Sequence, residues 1–171
     1  VKGFGIPVIP GSENMRDVKE AADLAQEIGY PVIIKAAAGG GGRGIKVIKE
    51  PQELAAAFEI ATAEARAAFG NDVLYLEKYI ISARHIEVQI LGDSHGNVIH
   101  LGERDCSIQR RYQKVVEEAP APAFPDALRA QIWEAAVAIA RRIGYQSAGT
   151  VEFVFDKDTQ KIYFLEMNTR I

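Results

Sequence analysis

Two runs of alternating apolar residues, Ala148 to Phe155 and Ile162 to Asn168, are separated only by the turn-forming stretch Asp156 to Lys161. Strands joined by so short a link pair antiparallel, because a parallel partner needs a crossover of a dozen residues or more. The pattern recurs. His85 to Leu91 and Val98 to Arg104 flank the turn 92–97, and Pro31 to Lys35 and Ile45 to Ile48 flank a glycine-rich loop, Ala36 to Gly44. Val73 to Glu77 reads as a further strand. Helical spacing of apolar residues predicts a helix over 15–28, capped by Asn14 or Ser12 and closed by Gly29. A second runs from Pro51 to Phe69 with Gly70 as its stop, and a third from Asp126 to Gly144. Tyr79 to Ala83 reads as a crossing segment and Asp105 to Pro122 as an irregular, charged connection. Hairpins with helices between them give an α+β fold and not a doubly wound parallel sheet. Two lobes are expected: 1–80, with three strands, two helices and the glycine loop, and 81–171, an antiparallel sheet with one helix.

Composition narrows the partners. The 171 residues are 48% apolar and 25% charged, with a net charge of -3. Such a balance suits a globular chain and gives no reason to expect nucleic acid. No apolar run reaches the roughly 20 residues that span a bilayer. The single cysteine, Cys106, excludes an internal disulfide and suits a reducing compartment. The first residue is not Met and Ile171 follows a strand-like segment directly, so both ends are expected to be cuts.

Three segments bear on chemistry. Glycines in Lys35-Ala-Ala-Ala-Gly-Gly-Gly-Gly-Arg-Gly44 can take positive φ and aim N–H groups at phosphate oxygens, with Lys35 beside them. The loop also suits a mobile hairpin turn. It is neither a Walker A nor a Rossmann motif, since a strand follows where those need a helix. In the last hairpin, a turn centred on Thr159 puts Glu152 opposite Glu166. Like charges at that spacing repel, and a divalent cation would use both carboxylates, with Asn168 as a third ligand. A solvated polar face is the alternative. The stretch Glu103 to Lys114 packs four cations near two acids, as an anion site or a solvated loop would. Cys106 reads as a small packing residue, His95 and His100 as ordinary, and His85 as a ligand or a sheet-edge residue.

Eight motifs occur here in one family's order: Ile33-Ile-Lys-Ala36, Gly39 to Gly44, Leu76-Glu-Lys-Tyr-Ile80, Arg84-His-Ile-Glu-Val-Gln89, Glu103-Arg-Asp-Cys-Ser-Ile-Gln-Arg-Arg111, Gln113 to Pro120, Gly149-Thr-Val-Glu-Phe153 and Phe164-Leu-Glu-Met-Asn-Thr-Arg170. Together they resemble biotin carboxylase, of the ATP-grasp superfamily. The resemblance implies that 1–80 is an ATP lid whose Lys35, Gly39, Gly40, Gly41, Gly42 and Gly44 hold the ATP phosphates. Glu77, Lys78, Tyr79 and Ile80 would meet the adenine, and His85, Gln109 and Tyr112 would line the nucleotide site. Glu152, Glu166 and Asn168 would hold Mg²⁺ or Mn²⁺, and Lys114 and Arg170 would bind bicarbonate and act in catalysis. The implied partners are a biotin carboxyl carrier protein or domain and a carboxyltransferase component, with biotin as the carrier-bound substrate. A homodimer is implied for the full-length protein, in the cytoplasm or a mitochondrial matrix. Tyr112 stands where many members have His. A Gln-Val-Glu-His run carrying a general base, an N-terminal ATP-contacting Lys and a late Arg of the family lie outside this sequence.

Overall fold

In a computed structural model, residues 7–12, 14–39 and 44–170 are described, so Gly40, Gly41 and Gly42 lie outside the described residues. These residues divide into two compact units. One comprises 9–80 with 111–113; the other comprises Pro7, Val8, 81–110 and 114–170.

The first unit holds α1 (Val18–Ile28), β1 (Val32–Ala36), β2 (Ile45–Ile48), α2 (Pro51–Phe69) and β3 (Leu74–Lys78). Its sheet has the order β2-β1-β3, all antiparallel. α1 and α2 bury Ala21, Ala25, Leu54, Phe58, Ala61 and Ala65 against Val32, Ile34, Ile48, Leu74 and Leu76. The helix expected over 15–28 starts later, at Val18, and its cap is Asp17, whose carboxylate accepts from the Lys19 N–H. Met15 is not helical because it is buried and exchanges both backbone bonds with Leu74, while the Leu76 N–H donates to Ser12 Oγ. A strand-like edge therefore uses the residues that capping would have needed. α2 begins on Pro51 at its first position and stops on Gly70 in the left-handed region (φ 66). Gly44 has a positive φ of 68, and its carbonyl accepts from the Ala36 N–H.

The second unit holds β4 (Ala83–Gly92), β5 (Val98–Arg110), β6 (Gln113–Glu118), α3 (Asp126–Arg142), β7 (Ser147–Asp156) and β8 (Lys161–Thr169). The sheet order is β6-β5-β4-β7-β8. α3 covers one face, where Ile132, Ala136, Ile139 and Ala140 pack on Ile86, Val88, Ile90, Val151, Phe153 and Phe155. The side chains of alternate residues project from the other face.

The connection expected to be irregular over Asp105 to Pro122 is a hairpin instead. β5 runs on to Arg110, turns at Arg111 (φ 53) and Tyr112 (φ 63), and returns as β6. Two positive φ values in a row make the tight mirror-image turn that matches strand twist, a conformation usually carried by Asn-Gly. β6, Gln-Lys-Val-Val-Glu-Glu, has no apolar alternation, and its Val115 and Val116 are exposed. The charges of β5 are held where they are because partners from distant segments meet them. On the α3 face, the Arg84 Nε–H donates to Asp105 at 2.7 Å, and burial of Asp105, which pushes its carboxyl up, is outweighed by Ser107 and Arg84, which hold it below the usual range.

Candidate functional site

The open face of the five-stranded sheet carries a row of charged side chains set by cross-strand register. Arg104 of β5 stands opposite Glu87 of β4, Glu87 opposite Glu152 of β7, and Glu152 opposite Glu166 of β8. Two irregularities make the row. Between Val88 and Ile90 the β4–β5 register shifts, with Gly102 (φ 88) in the shifted segment. In an unshifted ladder Glu103 would face Glu87, and Arg104 would point toward α3. The second shift, between Glu152 and Phe153, leaves Leu165 as the extra residue of β8. Without it Leu165 would oppose Glu152 and Glu166 would turn to the core. The turn centre is between Asp158 and Thr159, so the pairing of the two acids depends on this bulge and not on the Thr159 centre alone.

Glu87 (2% exposed) and Glu152 (1%) are buried, whereas Glu166 is exposed. Two adjacent buried carboxylates would repel, and Lys114 of β6 sits between them. Its Nζ donates to Glu87 Oε2 and, at 2.7 Å, to Glu152 Oε1. An ammonium has three donors, and bonds among the described residues commit two of them. Burial disfavours the Lys114 ammonium, but its bonds to Glu152 and Glu87 outweigh that and raise its pKa. Glu152 also meets His85 Nε2 at 2.5 Å and the Asn168 side-chain amide at 2.6 Å. His85 Nδ1 lies 2.9 Å from the Gln109 amide, which also donates to Cys106 O. Since Gln109 can only donate from that nitrogen, His85 Nδ1 accepts and Nε2 carries the proton toward Glu152. Burial pushes the Glu152 carboxyl up, yet His85 and Lys114 together bring it down to about 2.

A folded-state value below the ordinary 4.5 means that the contribution of Glu152 to stability is present above pH 4.5 and is lost as pH falls toward 2. Glu152→Gln is therefore expected to flatten the acid-unfolding profile between those values, as read by circular dichroism. An unchanged profile would remove Glu152 as its source.

The structure brings His85, Gln109, Lys114, Glu152, Glu166 and Asn168 together on this one face. Arg170 is exposed at the end of β8, its backbone N–H donating to Ala148 O. His85, read from sequence as a ligand or a sheet-edge residue, stands in the central strand β4. Tyr112 is half exposed in the β5–β6 turn. In the first unit, Lys35 Nζ pairs with Glu77 at 2.6 Å and lies 5.6 Å from the Tyr75 ring. Lys78 Nζ donates to Gly29 O and Tyr30 O, fastening the α1–β1 connection, and the Tyr79 N–H donates to Pro31 O. Tyr79 and Ile80 are half-buried, and the Gly39 N–H donates to Ala36 O.

Glu87, Gln89 and Arg104 are members of the site that the sequence reading passed over. Period-two counting from His85 marks Glu87 and Gln89, whereas Arg104 reaches the face only through the Gly102 bulge. Cys106 is fully buried, and burial followed by the Glu87 charge pushes its thiol up to about 12, so it packs and does not react. Among the described residues, ligand-capable atoms of His85, Glu87 and Glu152 approach within 4.8 Å of one another, as do those of Glu87, Cys106 and Glu117.

Residues 1–171 match the family described as carbamoyl-phosphate synthase L chain, ATP binding domain. Biotin carboxylase 1 of Bacillus subtilis is 55% identical over 172 aligned positions, which take in 100% of this chain and 38% of the relative. A crystal structure of a biotin carboxylase–β-γ-ATP complex from Campylobacter jejuni superposes with a TM-score of 0.94 at 53% identity, covering 99% of this chain and 38% of that one. The biotin carboxylase domain dimer of Hydrogenobacter thermophilus 2-oxoglutarate carboxylase, in complex with MgADP, ADP and bicarbonate, gives 0.92 at 54% identity, again over 99% and 38%. The chain thus spans well under half the length of these relatives, and the two antiparallel sheets and three helices among the described residues are the α+β, ATP-grasp fold expected from the sequence.

Proposed function

This chain belongs to the family of carbamoyl-phosphate synthase L chain ATP-binding domains, and on that premise we propose that it supplies the ATP-, Mg²⁺- and bicarbonate-binding core of a biotin carboxylase. The reaction is ATP plus bicarbonate giving ADP and carboxyphosphate, followed by carboxylation of a ureido nitrogen of carrier-bound biotin, which gives up its proton as phosphate is released. The observation that carries the reading is the row Glu87, Glu152 and Glu166 with Lys114 wedged into it.

The donor set fits a hard divalent cation. It offers oxygens from Glu152 and Glu166 and the amide of Asn168, whose Nδ2 touches Glu152 at 2.6 Å and Glu166 at 3.5 Å. When bound, Mg²⁺ would neutralise negative charge on the transferring phosphate. The chain's own groups do the rest. His85, held by Gln109, keeps Glu152 ionised and oriented. Lys114 presents its remaining proton to an anionic oxygen of bicarbonate or phosphate, with Arg170 as a second cation for bicarbonate and for the developing biotin enolate. Residues 1–80 serve as the ATP lid, in which Lys35 and the loop Gly39 to Gly44 contact phosphate and Glu77 to Ile80 meet the adenine. Residues 81–171 carry the metal and bicarbonate groups. Tyr112 takes the place beside the ribose.

A biotin carboxyl carrier protein or domain and a carboxyltransferase component are the partners this reading calls for, with self-association as a homodimer. No helix among the described residues is long and apolar enough to cross a membrane. The cytoplasm, or a mitochondrial matrix, is the compartment the reading favours.

These 171 residues are expected not to turn over alone, so the test is ADP release by the full-length protein that contains this chain, with bicarbonate and Mg²⁺, with and without free biotin. The reading expects release to rise at least severalfold with biotin, and labelled bicarbonate to appear in carboxybiotin. Release indifferent to biotin, with label in carbamoyl phosphate when ammonia is supplied, would assign the chain to a carbamoyl-phosphate synthase instead.

A further inference from the structure

Resting on that reading, we propose that Arg104 is a positioning residue that sets where the Lys114 ammonium stands. Arg104 touches no candidate substrate group. Its Nε donates to Glu87 Oε1 at 2.7 Å, its Nη2 donates to the same oxygen and to Gln89 Oε1 at 3.1 Å, and its Nε lies 3.2 Å from Glu117. The guanidinium thereby occupies one oxygen of the buried Glu87 carboxylate and leaves the other to Lys114. A planar fork can hold three acceptors at fixed angles, which a flexible ammonium cannot.

The charge distribution explains why such a group is needed. Across this face stand the carboxylates of Glu87, Glu117, Glu152 and Glu166, against the cations Arg104 and Lys114. Glu87, buried like Glu152, competes with it for Lys114. If Glu87 lacked the guanidinium, its full charge would draw the ammonium away from Glu152 Oε1, where Lys114 is otherwise placed to serve both the metal carboxylate and an incoming anion. With Arg104 in place, Glu87 is half satisfied and Lys114 is shared. The Gly102 bulge, which exists at the cost of one unpaired residue in β5, is what delivers Arg104 to this face.

The experiment uses Arg104→Met and Arg104→Lys in the full-length protein that contains this chain. Methionine keeps the stem and removes the fork; lysine restores charge without fork geometry. For Arg104→Met, kcat is expected to fall about 10–10²-fold and the bicarbonate KM to rise. The MgADP Kd should stay within about threefold of the parent protein's and the thermal midpoint within a few degrees. Arg104→Lys should recover only part of the loss. A crystal structure of Arg104→Met without ligands should show Lys114 Nζ withdrawn from Glu152 Oε1 beyond hydrogen-bond distance. Lys114 still bridging both carboxylates, or parental kcat and bicarbonate KM in Arg104→Met, would overturn the proposal. Should Arg104→Met fail to fold, the lysine variant decides: full parental kinetics from it would contradict the need for a fork. Failure of the parent protein to carboxylate biotin would instead strike the functional reading, while the Lys114 displacement could still be read in the crystal.

Discussion

Replacing Lys114 with methionine is expected to lower biotin-dependent ATP turnover by about 10²–10³-fold, the usual cost of removing one preorganised donor from developing negative charge. The expectation follows from where the ammonium stands. Lys114 separates two buried carboxylates that face each other across β4 and β7, and its bonds to them among the described residues commit two of its three donors. Methionine fills the same stem volume, so loss of packing is not the cause. Steady-state kinetics with bicarbonate varied would show the fall mainly in kcat together with a raised bicarbonate KM. Turnover within threefold of the parent would mean that Lys114 is a structural tie between Glu87 and Glu152 and nothing more.

The second large effect is on stability and lies on the opposite face. Glu103 has a side chain with no exposure and meets three partners: the Trp133 Nε1–H at 2.8 Å, the Ala121 N–H at 3.1 Å and Arg129 Nε at 3.1 Å. It ties β5 both to α3 and to the segment leading into that helix. Glu103→Ala would leave Arg129 with only the exposed Asp126 carboxylate, at 3.6 Å, as counter-charge and two N–H donors without that acceptor. Removing one member of a buried pair costs about 3–5 kcal/mol, whereas Glu103→Gln, which keeps an acceptor oxygen, should cost about 1–3 kcal/mol. Urea unfolding of the full chain measures both. Near-equal stability of Glu103→Ala and the parent would show that this cluster holds little of the fold together.

These two cases also show what could be read from the chain before its structure. The β7–β8 hairpin was legible because Val151, Phe153 and Phe155 alternate with Glu152 and Val154, and an antiparallel hairpin fixes which face Glu152 takes. The helix from Pro51 to Phe69 was legible because a proline opens it and a glycine closes it. The bulge at Leu165 was not, because an extra residue leaves no compositional mark; the opposition of Glu152 and Glu166 came out the same although the turn centre is half a residue away. The hairpin through Arg111 and Tyr112 was missed for a related reason. Its turn needs two positive φ values, and neither residue announces them. Glu103 and Asp105 looked like members of a solvated loop. They are buried, because Arg129 and Arg84, far off in sequence, supply the charges that make burial tolerable. Asn14 and Ser12 looked like helix caps, and the pairing of Met15 with Leu74 took precedence over them. Local chemistry was thus visible where alternation and a turn signal coincided, as in β7–β8, and hidden where positive φ values or a distant partner decided the outcome.

The most direct test of the account is a calorimetric titration of ADP into the full chain with and without Mg²⁺, repeated for Glu152→Gln and Glu166→Gln. The account predicts that Mg²⁺ tightens binding at least tenfold in the parent and has little effect in either variant. Undiminished Mg²⁺ dependence in both variants would contradict it, because the opposed carboxylates of β7 and β8 would then not be where the cation is held.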